Sequence, residues 1–250
     1  MFHVIIPSRY AASRLPGKPL LLIGGRSLIE RVWERAMASG AASVVIATDD
    51  DRIAAAARAF GAQCIMTAAG HASGTDRIAE VVQTRAMAPD QVVVNLQGDE
   101  PMMPPALIAA VARTLLSTPE ADIATAVTPI GSLGEFLDPN CVKALRAQDG
   151  RALYFSRAPV PWPREHVADG RPAEFGGAWR HIGIYAYRVR SLLKFAAWPA
   201  SSLEQTEQLE QLRALEHGMR IQLLTVADPP PAGVDTPQDL ERVRAASSDA

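Results

Sequence analysis

Short apolar runs rich in β-branched residues alternate along this chain with stretches of helical periodicity, and this alternation limits the fold more than any other feature. Parallel strands need crossover connections, so such alternation is the pattern of βαβ units. His3-Val4-Ile5-Ile6 reads as the first strand. Leu28, Ile29, Val32, Trp33 and Ala36 form a helical stripe, with Ser27 as its cap and Gly40 as its stop. Val44-Val45-Ile46-Ala47 predicts the second strand, and Asp49-Asp50-Asp51 opens an alanine-rich helix ending at Gly61. Cys64-Ile65-Met66 predicts a third strand, followed by a helix with Thr75 as cap and Ile78, Val81 and Val82 as its stripe. Val92-Val93-Val94-Asn95-Leu96 is nearly continuously apolar, as expected of a strand buried on both faces. Pro104 or Pro105 suits the first turn of the next helix. Residues 1–117 therefore predict a Rossmann-like half.

Beyond it the pattern changes. Val142-Lys143-Ala144-Leu145 and Leu153-Tyr154-Phe155 flank Gln148-Asp149-Gly150, and Asp-Gly is a hairpin signal. Residues 158–178 carry four prolines and little periodicity, which predicts a loop over a site or an interface. Ile182 to Tyr187 predicts a strand, Leu203 to Glu216 one helix with Leu209, Leu212 and Leu215 inward, Ile221 to Val226 a strand, and Thr236-Pro237 the start of a terminal helix. The expected architecture is α/β: a mostly parallel central sheet with helices on both faces and a smaller mixed β extension. At 250 residues the expectation is one domain, 1–250, whose second half (118–250) extends the sheet of the first.

Lys plus Arg number 25 and Asp plus Glu 27, for a net charge of −2. Such balance argues against a general nucleic-acid or membrane-surface binder, so an anionic ligand needs a local cluster of cations. Two cysteines, Cys64 and Cys141, exclude a disulfide framework and a cysteine-rich zinc site. No apolar run reaches membrane-spanning length and residues 1–7 enter a strand without a basic n-region, so the cytoplasm is the expected location.

That local cluster exists. The loop after the first strand, Ser8-Arg9-Tyr10-Ala11-Ala12-Ser13-Arg14-Leu15-Pro16-Gly17-Lys18-Pro19, places Arg9, Arg14 and Lys18 where α/β sheets bind ligands, at a strand's carboxyl end. Arginine offers bidentate donors and lysine a point charge, a combination suited to a triphosphate. Neither GxGxxG nor GxxxxGK[ST] is present, which argues against a dehydrogenase or a P-loop enzyme. Asn95-Leu96-Gln97-Gly98-Asp99-Glu100-Pro101 puts Asp99 directly after the most apolar strand, and Gly233-Val234-Asp235-Thr236-Pro237 puts Asp235 at another loop-to-helix junction. Each aspartate is either a helix cap or a ligand for a hard metal. On the residues alone, His181 reads as structural, Arg157 as an edge residue, and Glu210 and Gln211 as a solvated helix face. Tyr185 and Tyr187 point to the same side of their strand.

Seven segments in order carry a resemblance spanning residues 2 to 244. The basic loop, His71-Ala72-Ser73-Gly74-Thr75-Asp76-Arg77 and Gln97-Gly98-Asp99-Glu100-Pro101 resemble the sugar cytidylyltransferases. Tyr154-Phe155-Ser156-Arg157, His181-Ile182-Gly183-Ile184-Tyr185, Leu209-Glu210-Gln211-Leu212-Arg213 and Gly233-Val234-Asp235-Thr236-Pro237 narrow the resemblance to the branch that uses 3-deoxy-manno-octulosonate (Kdo). The resemblance implies a Mg²⁺-dependent homodimeric enzyme that joins CTP and Kdo into CMP-Kdo for lipopolysaccharide biosynthesis. It assigns Ser8, Arg9, Arg14 and Lys18 to the triphosphate loop, Ser73 and Gly74 to the cytosine and ribose, and Asp99 and Asp235 to the metal. It places Arg77, Gln97, Arg157, His181, Tyr185, Glu210 and Gln211 near the sugar. Ser8 departs from the alanine of many relatives and adds a hydroxyl. Another sugar acid, sialic-acid-like or 8-amino-Kdo, is the alternative substrate, and an inactive nucleotide-binding regulatory module the alternative of another class.

Overall fold

The computed structural model describes residues 1–11, 15–163 and 177–248. Its elements in chain order are β1 (Phe2–Ser8), β2 (Leu22–Ile23), β3 (Arg26–Ser27), α1 (Leu28–Met37), β4 (Ser43–Thr48), α2 (Asp51–Ala59), β5 (Gln63–Met66), α3 (Gly74–Thr84), β6 (Val92–Asn95), α4 (Pro105–Ser117), β7 (Ile123–Pro129), α5 (Leu133–Leu137), β8 (Lys143–Arg146), β9 (Ala152–Ser156), β10 (Ala178–Arg188), α6 (Val189–Ala197), α7 (Ser202–Glu207), α8 (Gln211–Glu216), β11 (Ile221–Thr225) and α9 (Pro237–Ser248). The main sheet runs β11-β7-β10-β6-β1-β4-β5, with β8 and β9 attached beside β10. β1 is parallel to β4 and β6, and β10 lies antiparallel to both β6 and β7.

The strand alternation explains why the central runs carry so few polar residues. Val4 and Ile6 of β1, with Val92 and Val94 of β6, pack on one face with Leu28, Val32, Ile53 and Ile108. Ile5 and Val93 face the other way, onto Ile78, Val82, Phe195 and Leu212. Both faces of the two inner strands are covered, so the whole run must be apolar. Tyr185 and Tyr187 share the second face, as their spacing requires. Among the described residues no helix is long and apolar enough to cross a membrane.

Local chemistry sets most helix ends where the sequence puts them. Ser27 and Glu30 form a reciprocal capping box on α1, Asp50 caps α2, and Pro105 begins α4. Gly40 and Gly61 stop their helices at φ values of +77° and +82°. Asp149-Gly150 lies between β8 and β9, which pair antiparallel.

Two expectations are corrected. Ser73, rather than Thr75, caps α3, in a box with Asp76. The single helix over 203–216 is two helices, α7 and α8, broken where Gln208 turns left-handed at φ +52°. The break puts Leu209 and Leu212 into the core and lets Arg213 on α8 bond both carboxylate oxygens of Glu204 on α7, at 2.7 and 2.6 Å. The proline-rich 158–178 segment lies largely outside the described residues.

Candidate active site

The parallel ends of β1 and β6 open on a cleft lined by Pro7, Ser8, Arg9, Ala11, Lys18, Pro19, Gly74, Gln97, Gly98 and Asp99. Ligands of open α/β sheets bind at such carboxyl ends. Lys18 stands at the start of a short 3-10 turn, preceded by Gly17 at φ +67°. A side chain at Gly17 would meet the Tyr10 hydroxyl at 3.1 Å, while Arg52 lies over the other part of that clamp, its guanidinium 3.3 Å from the Tyr10 ring centroid. Arg14 lies outside the described residues, together with Ala12 and Ser13.

The Lys18 ammonium joins the ends of the chain. Nζ donates to Asp99 Oδ2 at 2.8 Å, to the Val234 carbonyl at 2.9 Å and to Asp235 Oδ1 at 3.1 Å. Burial works against this charge, but Asp99 and Asp235 outweigh it and raise the lysine pKa. Val234 is fully buried and its N–H donates to the Asp99 carbonyl at 2.8 Å, so a core residue holds the 233–235 loop against the 97–100 loop. Thr236 and Asp239 form the capping box of α9, and the cap of α4 is Pro104. Neither aspartate is therefore spent on capping.

Glu100 adds acidity. Burial, and then the charges of Asp99 and Asp235, push its carboxyl up to about 7 despite Lys18. Two carboxylates converge on one cation at a partly exposed position, with side-chain exposures of 32% and 53%. That donor chemistry fits Mg²⁺, which takes one or two carboxylates and completes its octahedron with phosphate and water. Among the described residues no group of three or more His, Cys, Asp or Glu side chains forms an all-protein metal cage, and such an ion needs none.

Close approach also demands a glycine here. A Cβ on Gly98 would sit 2.8 Å from the Pro7 carbonyl oxygen, a backbone atom that can move only if β1 does. Gly98→Ala is expected to lower the melting temperature by several degrees and kcat/KM for CTP by about tenfold or more. Thermal unfolding with steady-state kinetics checks this; unchanged values would mean the loop yields freely.

The residues expected near a sugar fall into two sets. From Phe155 on β9, the rings of His181, Tyr185 and Tyr187 along β10 follow in turn at centroid distances of 5.1, 5.4 and 5.9 Å. Tyr185 pairs in register with Asn95, whose amide oxygen accepts from Gln97 Nε2 at 3.3 Å, linking this row to the cleft. Glu210 Oε2 accepts from Thr75 Oγ1 at 2.7 Å, while Glu210 Oε1 and Gln211 Nε2 are buried without a protein partner. Glu210 and Gln211 are thus enclosed rather than solvated. The two arginines are held by other groups, Arg77 incompletely, its Nε and Nη2 having no hydrogen-bond partner among the described residues. Arg77 has no exposed surface; it hydrogen-bonds Thr67 and sits 3.2 Å from Asp49. Arg157 donates to the carbonyls of Glu207, Pro139 and Gln208, holding the end of α7. Ser8 is buried and its hydroxyl has no hydrogen-bond partner among the described residues.

His181 shows a further device invisible in the sequence. The pairing of β10 with β7 slips between Ile182 and Tyr185, and Thr125 Oγ1 fills the bulge, 2.8 Å from the Ile184 carbonyl and 3.0 Å from His181 Nε2. Burial pushes the imidazole down to about 4. Unfolded histidine titrates near 6.5, so between those values the unfolded chain binds the extra proton. Stability from this group is complete above about 6.5 and declines as pH falls towards 4, by roughly 3 kcal/mol in all. Denaturant unfolding between pH 7 and 4 should therefore show a shallower pH slope for His181→Gln than for wild type. Equal slopes would show that His181 does not titrate in this way.

These features define a nucleotidyltransferase. The chain belongs to the cytidylyltransferase family, whose model matches residues 3–221. It is 51% identical over 252 residues to the 3-deoxy-manno-octulosonate cytidylyltransferase of Cellvibrio japonicus, covering 98% of this chain and 97% of that protein. It is 56% identical over 242 residues to the protein of that name from Chromohalobacter salexigens, covering 96% and 94%. The solved structure of a CMP:2-keto-3-deoxy-manno-octonic acid synthetase complexed with CTP superposes with a TM-score of 0.90 at 41% identity, covering 100% of this chain and 99% of that one. A cytidylyltransferase from Leptospira borgpetersenii, at 16% identity and TM-score 0.64, shares the fold.

Proposed function

We propose that this protein transfers CMP from CTP to Kdo, giving CMP-Kdo and pyrophosphate. The observation that carries the reading is the meeting of Asp99 and Asp235, from distant parts of the chain, on Lys18 at the mouth of the β1–β6 cleft. The names of relatives above 50% identity over almost their full length point to the same reaction.

The anomeric hydroxyl of the sugar attacks the α-phosphorus in line and gives up its proton to water, the new P–O bond forms, and the bond to the bridging oxygen breaks as pyrophosphate leaves. Such chemistry depends on positioning and charge neutralisation. Arg9, Arg14 and Lys18 hold the triphosphate, and Lys18 faces the charge that grows on the leaving group. Ser73 and Gly74 border the base and ribose. Asp99 and Asp235 would hold Mg²⁺, which when bound supplies further neutralisation at the phosphates. Gln97, Tyr185, His181, Glu210 and Gln211 receive the sugar, with Arg157 and Arg77 bracing the walls behind them. A cytoplasmic homodimer in lipopolysaccharide biosynthesis completes the reading; exposed Leu153 on β9 and Trp162 just beyond it supply apolar surface for pairing.

Pyrophosphate release from CTP, UTP and ATP with a panel of sugar acids tests the assignment. Release with CTP and Kdo is expected. Preference for a sialic acid or 8-amino-Kdo would reassign the substrate, and no release with any acid would make the chain an inactive nucleotide-binding module.

A further inference from the structure

Thr75 is the second residue of α3 and only 1% of its surface is exposed. Ser73 supplies the cap of that helix, so the Thr75 hydroxyl has no capping duty. A helical threonine commonly bonds back to a carbonyl one turn earlier. Here it reaches across to another element instead and donates to Glu210 Oε2 at 2.7 Å. The Tyr187 phenol lies within reach of the same threonine, and Ser73 acts with Thr75 on the Glu210 carboxylate, both holding its pKa down against a burial that raises it overall.

Glu210 Oε1 and the neighbouring Gln211 Nε2 are a buried acceptor and a buried donor on consecutive residues, neither with a hydrogen-bond partner among the described residues. Buried polar atoms are nearly always paired, so an unpaired acceptor and an unpaired donor on consecutive residues point to a ligand bearing both donors and acceptors. A carboxylate free to rotate would satisfy Oε1 internally or swing away. The bond to Thr75 spends Oε2 and, with Ser73 acting on the same carboxylate, leaves Oε1 to be presented. Gly74, the residue before Thr75, lines the nucleotide cleft, so one turn of α3 borders the nucleotide through one residue and Glu210 through the next.

We propose that Thr75 is a positioning residue for the sugar acid: its hydroxyl ties Glu210 Oε2 to the α3 turn, so that Glu210 Oε1 and the Gln211 amide are presented together to sugar hydroxyls. The proposal rests on the reading that places Glu210 and Gln211 beside the sugar. Valine matches threonine in shape but lacks the hydroxyl, which keeps the helix and removes the tie.

The test compares Thr75→Val, Thr75→Ser and Glu210→Gln in the full chain, measuring KM for Kdo and CTP separately and the melting temperature. Thr75→Val should raise KM for Kdo about tenfold while KM for CTP stays within about twofold. Thr75→Ser should restore the wild-type value, and Thr75→Val should add little once Glu210→Gln is present. Equal losses for both substrates, an unchanged KM for Kdo, or failure of serine to rescue would each overturn the positioning role. The substrate reading fails separately: if the wild type uses another sugar acid and not Kdo, the same split is read with that acid. A wild type that turns over no sugar acid overturns both.

Discussion

Asp99→Asn is expected to lower turnover by about a thousandfold while the protein folds as before. The side chain stands in a turn four residues beyond the end of β6, where the Val234 N–H ties the Asp99 carbonyl at 2.8 Å without help from the carboxylate charge. Asparagine keeps the shape and removes the negative charge. The lost ion pair with Lys18 is partly exposed, and exposed pairs contribute little to stability, so unfolding should change by about 1 kcal/mol or less. The loss in rate is larger because Mg²⁺ bound at this carboxylate would neutralise charge on the reacting phosphates, an effect of several kcal/mol. Asp235 is more exposed and farther from Lys18, so Asp235→Asn should cost less, about a hundredfold. Single-turnover rates at saturating CTP and Kdo, titrated with MgCl₂, check both variants. The deficit should come with a raised Mg²⁺ requirement; a rate equal to wild type at limiting Mg²⁺ would remove that residue from the metal site.

The strands and the residues that line the β1–β6 cleft were legible because their determinants are local. Val92-Val93-Val94 declares its own burial, and Ser27, Gly40 and Gly61 state their caps and stops in single residues. Arg9, Lys18, Gly74, Gln97 and Asp99 reach one cleft because each sits at or near the end of a strand or the start of a helix in the same layer. What could not be read depends on contacts between distant segments. The break at Gln208 has no glycine or proline to announce it; it is set by Glu204 and Arg213 pairing across it. The bulge that Thr125 fills appears only when β7 and β10 are side by side. Glu210 sits next to three leucines and is polar like any surface residue, yet Thr75, 135 positions away, encloses it. Arg157 read as an edge residue because the sequence cannot show that the carbonyls of Glu207, Pro139 and Gln208 hold it, nor that Thr67 and Asp49 lie against a fully buried Arg77. Asp99 and Asp235 fell between: their residue type suggested a metal or a cap, and the capping box of α9 and Pro104 remove only the second.

Lys18→Met separates the two tasks given to this lysine. Methionine keeps the length and the apolar stem, so the 3-10 turn and the packing at Pro19 should survive. For catalysis, the loss of a cation beside the departing pyrophosphate should lower kcat/KM for CTP at least about a hundredfold, with KM for Kdo little changed. Equal losses for the two substrates would move Lys18 away from the triphosphate. For stability, the raised lysine pKa means that its contribution is complete at neutral pH and fades only as alkaline pH deprotonates the folded state. Removing the ammonium takes away the cation that Asp99 and Asp235 share, with Glu100 close behind them. The variant should therefore melt a few degrees below wild type in the absence of divalent ions. Mg²⁺ then has an uncontested pair of carboxylates, so adding it should raise the melting temperature of Lys18→Met by more than that of wild type, where ion and ammonium compete for the same oxygens. Thermal unfolding across a MgCl₂ titration, with KCl matched for ionic strength, measures the difference. Equal Mg²⁺ shifts in the two proteins would show that the aspartates meet only to hold the lysine and not to hold a metal.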